Sequence, residues 1–223
     1  MNVDISQFAT LIFDCDGVIL DSNKIKTTAF YNTALPYGED AAEALVNYHE
    51  QNGGVSRYVK FEYFLEEILG LKVEPKKIND LLSSFVSEIQ EKLILCQISP
   101  GLKELRKNSN SNWLVVSGSD QKELRSIFLE RNLTENFNCG IFGSPETKEV
   151  ILSREIDNGN IKFPALFIGD SKYDHQAAKA TNIDFVFAYG WTEVKDWREY
   201  CDENDLEMIK DLAQLQDSPI KAN

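Results

Sequence analysis

Residues 11–22 read LIFDCDGVILDS, an apolar run that stops at two carboxylates, Asp14 and Asp16, with Gly17 directly behind them. Like charges so close raise each other's pKa, and burial raises it further, so a cation between them is expected. Other reactive side chains also follow apolar runs. Ser117, Gly118 and Ser119 come after LVV, Asp170 and Asp174 stand in IGDSKYD after ALF, and Lys148 lies in the segment after GIFG. Several carboxylates with one hydroxyl and one lysine are the donor set of a magnesium (Mg2+) site for an anionic substrate. If the substrate is a phosphate, an attacking carboxylate is repelled by it; a divalent cation touching both parties, with a lysine on the transferred group, reduces that repulsion.

These residues converge only if the elements bearing them share an edge. The stretches 8–13, 113–117, 139–143, 165–170 and 185–190 are short, apolar, rich in Val, Ile and Phe and bounded by turn residues, which predicts buried strands. Between the later ones, 121–133, 146–159 and 173–182 are helical in period or composition. Strand and helix in alternation predict an α/β fold, a doubly wound parallel sheet with helices on both faces. Ligands of such sheets bind beyond the carboxyl ends of the strands, where Asp14, Ser117 and Asp170 fall.

The interval between the first two strands is too long for a single crossover. In 56–69 the apolar positions Tyr58, Phe61, Leu65, Ile68 and Leu69 recur on one helical face, and in 78–93 so do Ile78, Leu81, Leu82, Phe85, Ile89 and Leu93. The expectation is a helical cap over 22–98 inserted into a catalytic core made of 1–21 and 99–223, with Pro100 opening the helix that returns to the sheet. Asp21 and Ser22 are placed to cap the first cap helix, and Ser119 and Asp120 the helix at 121. The polar stretch 108–112 reads as a surface turn and 216–223 as a frayed tail.

Composition narrows the partners. The 223 residues carry 23 Lys and Arg against 36 Asp and Glu, a formal net charge of -13. A chain this acidic lacks the basic face that nucleic acid or an anionic membrane requires. A small molecule is the expected partner. No window approaches a membrane span and the first residues lack the features of a signal peptide, so a cytoplasmic protein is expected. Cys15, Cys96, Cys139 and Cys201 form no CxxC pair, and neither zinc nor disulfides are expected.

In order along the chain, DCDGV at 14–18, VVSGS at 115–119, Lys148 and GDSKYD at 169–174 resemble the signature elements of the haloacid dehalogenase-like superfamily. The likeness is to its phosphatase and phosphomutase branch, with a helical cap directly after the first element and a Rossmann-like core. That resemblance implies Asp14 as the nucleophile and Asp16 as general acid and then base, with a raised pKa. It also implies Ser117 and Lys148 on phosphate oxygens, Asp14, Asp16 and Asp170 around magnesium, and Asp174 as support. Dehalogenating members resemble the pattern without a second acid, so Asp16 argues for phosphate-ester chemistry.

Substrate identity belongs to the cap. The turn QNGGVSRYVK places Arg57 and Lys60 behind Gly53 and Gly54, either as contacts to a second anionic group on the substrate or as solvated charges on a helix face. Gly118 is expected to let backbone approach the ligand. His49 reads as a surface residue of the cap and His175 as a helix-face residue. A magnesium-dependent phosphatase for a small phosphorylated metabolite, such as a sugar phosphate or phosphoglycolate, is the leading expectation; a phosphomutase and a non-catalytic binding protein are the alternatives. Oligomeric state is not legible.

Overall fold

A computed structural model describes residues 3–216. Strand β1 (Val3–Asp4) pairs with a distant segment at the other end of the chain, and β2 (Thr10–Phe13) carries the first acidic element at its end. Four helices follow: α1 (Asn23–Ala34), α2 (Glu39–Gln51), α3 (Arg57–Tyr63) and α4 (Pro75–Leu95). The chain then returns through α5 (Leu102–Asn108) to alternate β3 (Asn112–Asp120), α6 (Gln121–Glu130), β4 (Ile141–Ser144), α7 (Lys148–Asp157), β5 (Ala165–Gly169), α8 (Lys172–Ala180) and β6 (Asp184–Ala188). Helix α9 (Trp197–Glu203), β7 (Glu207–Ile209) and β8 (Leu215–Gln216) complete the described chain.

All six main strands run parallel, in the order β4-β3-β2-β5-β6-β7. The alternation of side chains along each strand divides the core into two layers. Leu11 and Phe13 meet Trp113, Val115, Leu166 and Ile168 on one face, under Leu105 of α5 and Leu124 and Phe128 of α6. Ile12 meets Leu114, Val116 and Phe167 on the other, under Ile151 and Leu152 of α7 and Ala177 and Ala178 of α8. Both faces are covered, which is why these strands read as continuous apolar runs. The edge strand β7 has only three residues and one buried side chain, Ile209, and left no such run to read; α9 was not expected either.

Between Asn23 and Leu95 the regular elements are all helical, and α1 to α4 pack on one another. In α4, Leu81, Phe85, Ile89 and Leu93 recur every four residues and are buried; the Phe85 ring lies 4.5 Å from that of Phe30 of α1, tilted against it. Helix α3 passes into one wider π-type turn, Phe64–Ile68. That turn moves the apolar stripe by a residue, so Phe64 joins Phe61 and Leu65 in full burial while Tyr58, Ile68 and Leu69 are only partly covered. The turn expected at 108–112 is not wholly at the surface: Ser109 is buried under the Trp113 indole, whose Nε1 donates to its hydroxyl at 3.3 Å, and Asn112 already belongs to β3. Of the expected tail, Gln216 pairs with Asp4 in the small sheet and 217–223 lie outside the described residues.

Candidate active site

Asp14 is the first residue past β2, anchored by its N–H to the Ile168 carbonyl at 2.9 Å, and its side chain is buried. Asp170 follows β5, the strand hydrogen-bonded beside β2, and is also buried. Between them the chain turns at Gly17, whose φ is +74°; a Cβ there would lie 2.1 Å from Asp170 Oδ2, so only glycine lets the two acidic loops touch. Asp174 sits one turn into α8, where it closes a reciprocal cap with Ser171.

Carboxylate oxygens of Asp14, Asp170 and Asp174 lie within 4.8 Å of one another, all buried. Lys148, at the start of α7, bridges two of them: Nζ is 3.1 Å from Asp14 Oδ1 and hydrogen-bonds Asp174 Oδ1. The other two lysines near strand ends stay away from the cluster: Lys172 pairs at the surface with Asp196, and Lys162 is exposed. Three acids around one lysine leave uncompensated negative charge. Burial, above all, and then the neighbouring acids raise Asp14 to about 7 against the pull of Lys148, and burial with Asp14 and Asp174 raises Asp170 well above the carboxylate range. Asp14 Oδ1, despite its ion-pair distance to Lys148, accepts no aligned hydrogen bond. Buried oxygens in this condition fit a hard divalent cation.

Asp16 behaves differently from expectation. Burial alone would raise its pKa, but the ammonium of Lys26 and hydrogen bonds from Lys26, Ser22 and Ser119 outweigh burial and hold it at about 2. Lys26 Nζ donates to Oδ2 at 2.5 Å, Ser119 Oγ to Oδ2 at 2.7 Å, and Ser22 Oγ to Oδ1 at 2.5 Å. Three donors therefore occupy this carboxylate, and the third acid beside Asp14 and Asp170 is Asp174. The same bonds revise two capping expectations. Helix α1 begins at Ser22 without a side-chain cap because that hydroxyl is spent on Asp16. Asp120 alone caps α6, accepting from the N–H groups of Lys122 and Glu123.

Lys26 and Asn23 were missed from the sequence. Asn23 Nδ2 donates to Asp170 Oδ2 at 2.6 Å and to the Trp191 carbonyl at 2.9 Å. Both residues lie on the first turn of the helix after DCDGV, three apart and so on one face; that spacing was the available signal. Ser117 is wholly buried, and its hydroxyl accepts the Ser119 N–H at 3.1 Å. Gly118 and Ser119, rather than Ser117, line the cavity next to Asp14.

That cavity, about 70 Å³, is walled on one side by the strand ends and on the other by the helices 23–95. The reading of Arg57 and Lys60 as solvated charges is overturned, since both are buried. Arg57 Nη1 pairs with Glu123 of α6 at 2.9 Å, while Lys60 Nζ lies 2.7 Å from His49 Nδ1. His49 is no surface residue: its ring packs 4.5 Å from that of Phe30 inside the cavity wall, and burial together with Lys60 holds its pKa well below the usual range. His175 stays on its helix face against Tyr200. The four cysteines are free, and none joins the acidic cluster. Among the described residues no helix is long and apolar enough to cross a membrane.

Comparison with known proteins places this geometry. The family model described as haloacid dehalogenase-like hydrolase matches residues 11–188. A phosphorylated carbohydrates phosphatase of Thermotoga maritima is 24% identical over 193 residues, 79% of this chain and 83% of the relative. Among solved structures, a predicted phosphoglycolate phosphatase from Haemophilus somnus superposes with a TM-score of 0.70 at 17% identity, over 94% of this chain and 96% of that one. A mutant of CbbY from Rhodobacter sphaeroides, in complex with xylulose-(1,5)bisphosphate, superposes with a TM-score of 0.68 at 15% identity, over 92% and 95%. At such identities the structural likeness speaks for the fold.

Proposed function

Because this chain belongs to the haloacid dehalogenase-like hydrolase family, we propose that it hydrolyses a small phosphorylated metabolite through a phosphoryl group carried on Asp14, with magnesium held by Asp14 and Asp170. The observation that carries this reading is the Asp14 carboxylate, buried beside Lys148 and Asp170 with one oxygen accepting no aligned hydrogen bond. In it, residues 1–21 and 99–223 are the catalytic core and 22–98 the cap that closes over it. Bound magnesium neutralises charge between the nucleophile and the phosphate.

The chain's own residues do the rest. Asp14 attacks phosphorus and the ester oxygen departs with the bonding pair. Lys148, kept firmly protonated because Asp14 and Asp174 outweigh its burial, offers hydrogens to the transferred oxygens. Asp174 and Ser171 hold that lysine and the start of α8 in place. The turn at Gly118 and Ser119 bounds the phosphate on the β3 side, with Ser117 behind it accepting the Ser119 N–H. Asp16 protonates the leaving oxygen and then takes a proton from the attacking water. Its ionised form, held by Lys26, Ser22 and Ser119, suits the base half of that work; a phosphate dianion beside it raises its pKa toward the acid half. The names of the relatives, acting on phosphorylated carbohydrates or phosphoglycolate, agree with a small phosphorylated substrate.

The test is turnover of nitrophenyl and alkyl phosphates with magnesium and with excess chelator. Chelation and Asp14→Asn should each abolish hydrolysis. Asp16→Asn should slow alkyl esters by ~10² to 10⁴-fold, spare the phosphorylation step with the nitrophenyl ester, and let phosphoenzyme accumulate. Full activity in chelator, or equal loss with both leaving groups, would overturn the assignment.

A further inference from the structure

The cations around the cavity are unequal. Lys148 faces Asp14 and Asp174, Lys26 pairs with Asp16, and Arg57 pairs with Glu123. Lys60 is as buried as Lys148, lines the same cavity from the helical side, and has no carboxylate within ion-pair distance among the described residues. Its neighbours are the His49 ring nitrogen at 2.7 Å and the face of Phe30, 5.5 Å from its Nζ. An ammonium can only donate, so at this distance His49 Nδ1 takes one of its hydrogens, and the other two have no acceptor among the described residues. The nearest acid on the His49 side, Glu193, lies at the other ring nitrogen, 4.0 Å from Nε2, and accepts the Thr27 hydroxyl.

An ammonium taken out of water and left without a counter-ion is strongly disfavoured, because the lost hydration is not repaid. Burial, with Lys26 next in importance, accordingly pulls the Lys60 pKa down to about 7. A group this costly, aimed into a cavity opposite the phosphoryl-accepting acids, is balanced once an anion enters.

Resting on the hydrolase reading above, we propose that Lys60, with His49 fixing its orientation, is the subsite for a second anionic group on the substrate, which is thus a compact phosphate ester bearing a carboxylate or a second tetrahedral oxyanion a few bonds from phosphorus. The small volume of the cavity, about 70 Å³, keeps the two anions near each other. A neutral sugar ring with a single phosphate leaves the Lys60 charge unanswered.

The test uses binding, so that it stands apart from turnover. Calorimetric titration of the full chain in magnesium chloride compares sulfoacetate with isethionate, which differ by a carboxylate against a hydroxymethyl group, and adds ethanedisulfonate as a probe with two tetrahedral anions. A charge-assisted hydrogen bond gives the doubly charged probes an advantage of about tenfold to a hundredfold over isethionate. In Lys60→Met that ratio falls toward unity; Lys60→Gln, checked for folding by thermal melting, serves if the first variant is unstable. The stronger of sulfoacetate and ethanedisulfonate identifies the second anion. Equal binding of all three probes by the wild type, or a ratio unchanged in both variants, would overturn the subsite. A wild-type advantage that is lost in the variants, in a protein that hydrolyses no phosphate ester, would instead sink the hydrolase reading alone.

Discussion

Replacing Gly118 by alanine isolates closure of the helical segment from the integrity of the sheet. The residue lies near the end of β3, and a Cβ built there falls 2.0 Å from the carbonyl oxygen of Gly54 and 2.9 Å from its carbon, in the turn between α2 and α3. Both offending atoms are backbone, so no side chain can swing aside. Ordinary contact begins at 3.4 Å, which means that the turn must retreat by about 1.4 Å. Overpacking of this kind costs about 1 to 3 kcal/mol. If the core bore that strain, Tm would fall by about 2–4 °C for each kcal/mol in a chain of this size. Moving the turn outward relieves it more cheaply, because the cavity lies directly beneath. The closed arrangement then becomes about 5- to 150-fold scarcer. The expected result is a loss of kcat/KM of that size for nitrophenyl phosphate with Tm lowered by less than about 2 °C. A variant with kcat/KM within about twofold of wild type would refute the reasoning.

The Lys60 charge should be visible in stability. Its pKa falls from 10.5 to about 7 on folding, so between those values the unfolded chain binds more protons and stability rises with pH. Lys26, His49, Asp16, Glu193 and Lys148 act on it but remain in the variant, so Lys60→Met should melt above wild type by several degrees at neutral pH, with the gap closing as pH approaches 10; thermal melts across that range check it, and a constant gap counts against a buried charged lysine. Asp120→Ala removes the α6 cap and the partner of the Tyr58 hydroxyl at 2.8 Å, and should lower stability by about 1 kcal/mol in denaturant unfolding, whereas Asp120→Asn keeps most of it.

Local chemistry along the chain determined a good part of this protein. Apolar runs marked β2 to β6 because both faces of a parallel sheet are buried, and the residues ending them, Asp14, Ser117 and Asp170, were placed by a rule that ties ligands to strand ends. Four-residue recurrence exposed α4 before any contact was known. What the sequence left open depends on side chains far apart in the chain. Asp16 was expected to be proton-hungry because its sequence neighbour is an acid, yet Ser119, 103 residues away, and Lys26, ten away, hold it ionised. Ser22 and Ser119 have the chemistry of helix caps, and only the fold reveals that the half-buried Asp16 carboxylate claims their hydroxyls. Arg57 and Lys60 follow the same logic in reverse: exposed lysines and arginines are the norm, and burial was decided by the packing of α2, α3 and α4 against the sheet edge. Electrostatic energy falls off with distance in space, not along the chain, and it is tertiary packing that sets both the distance and the dielectric.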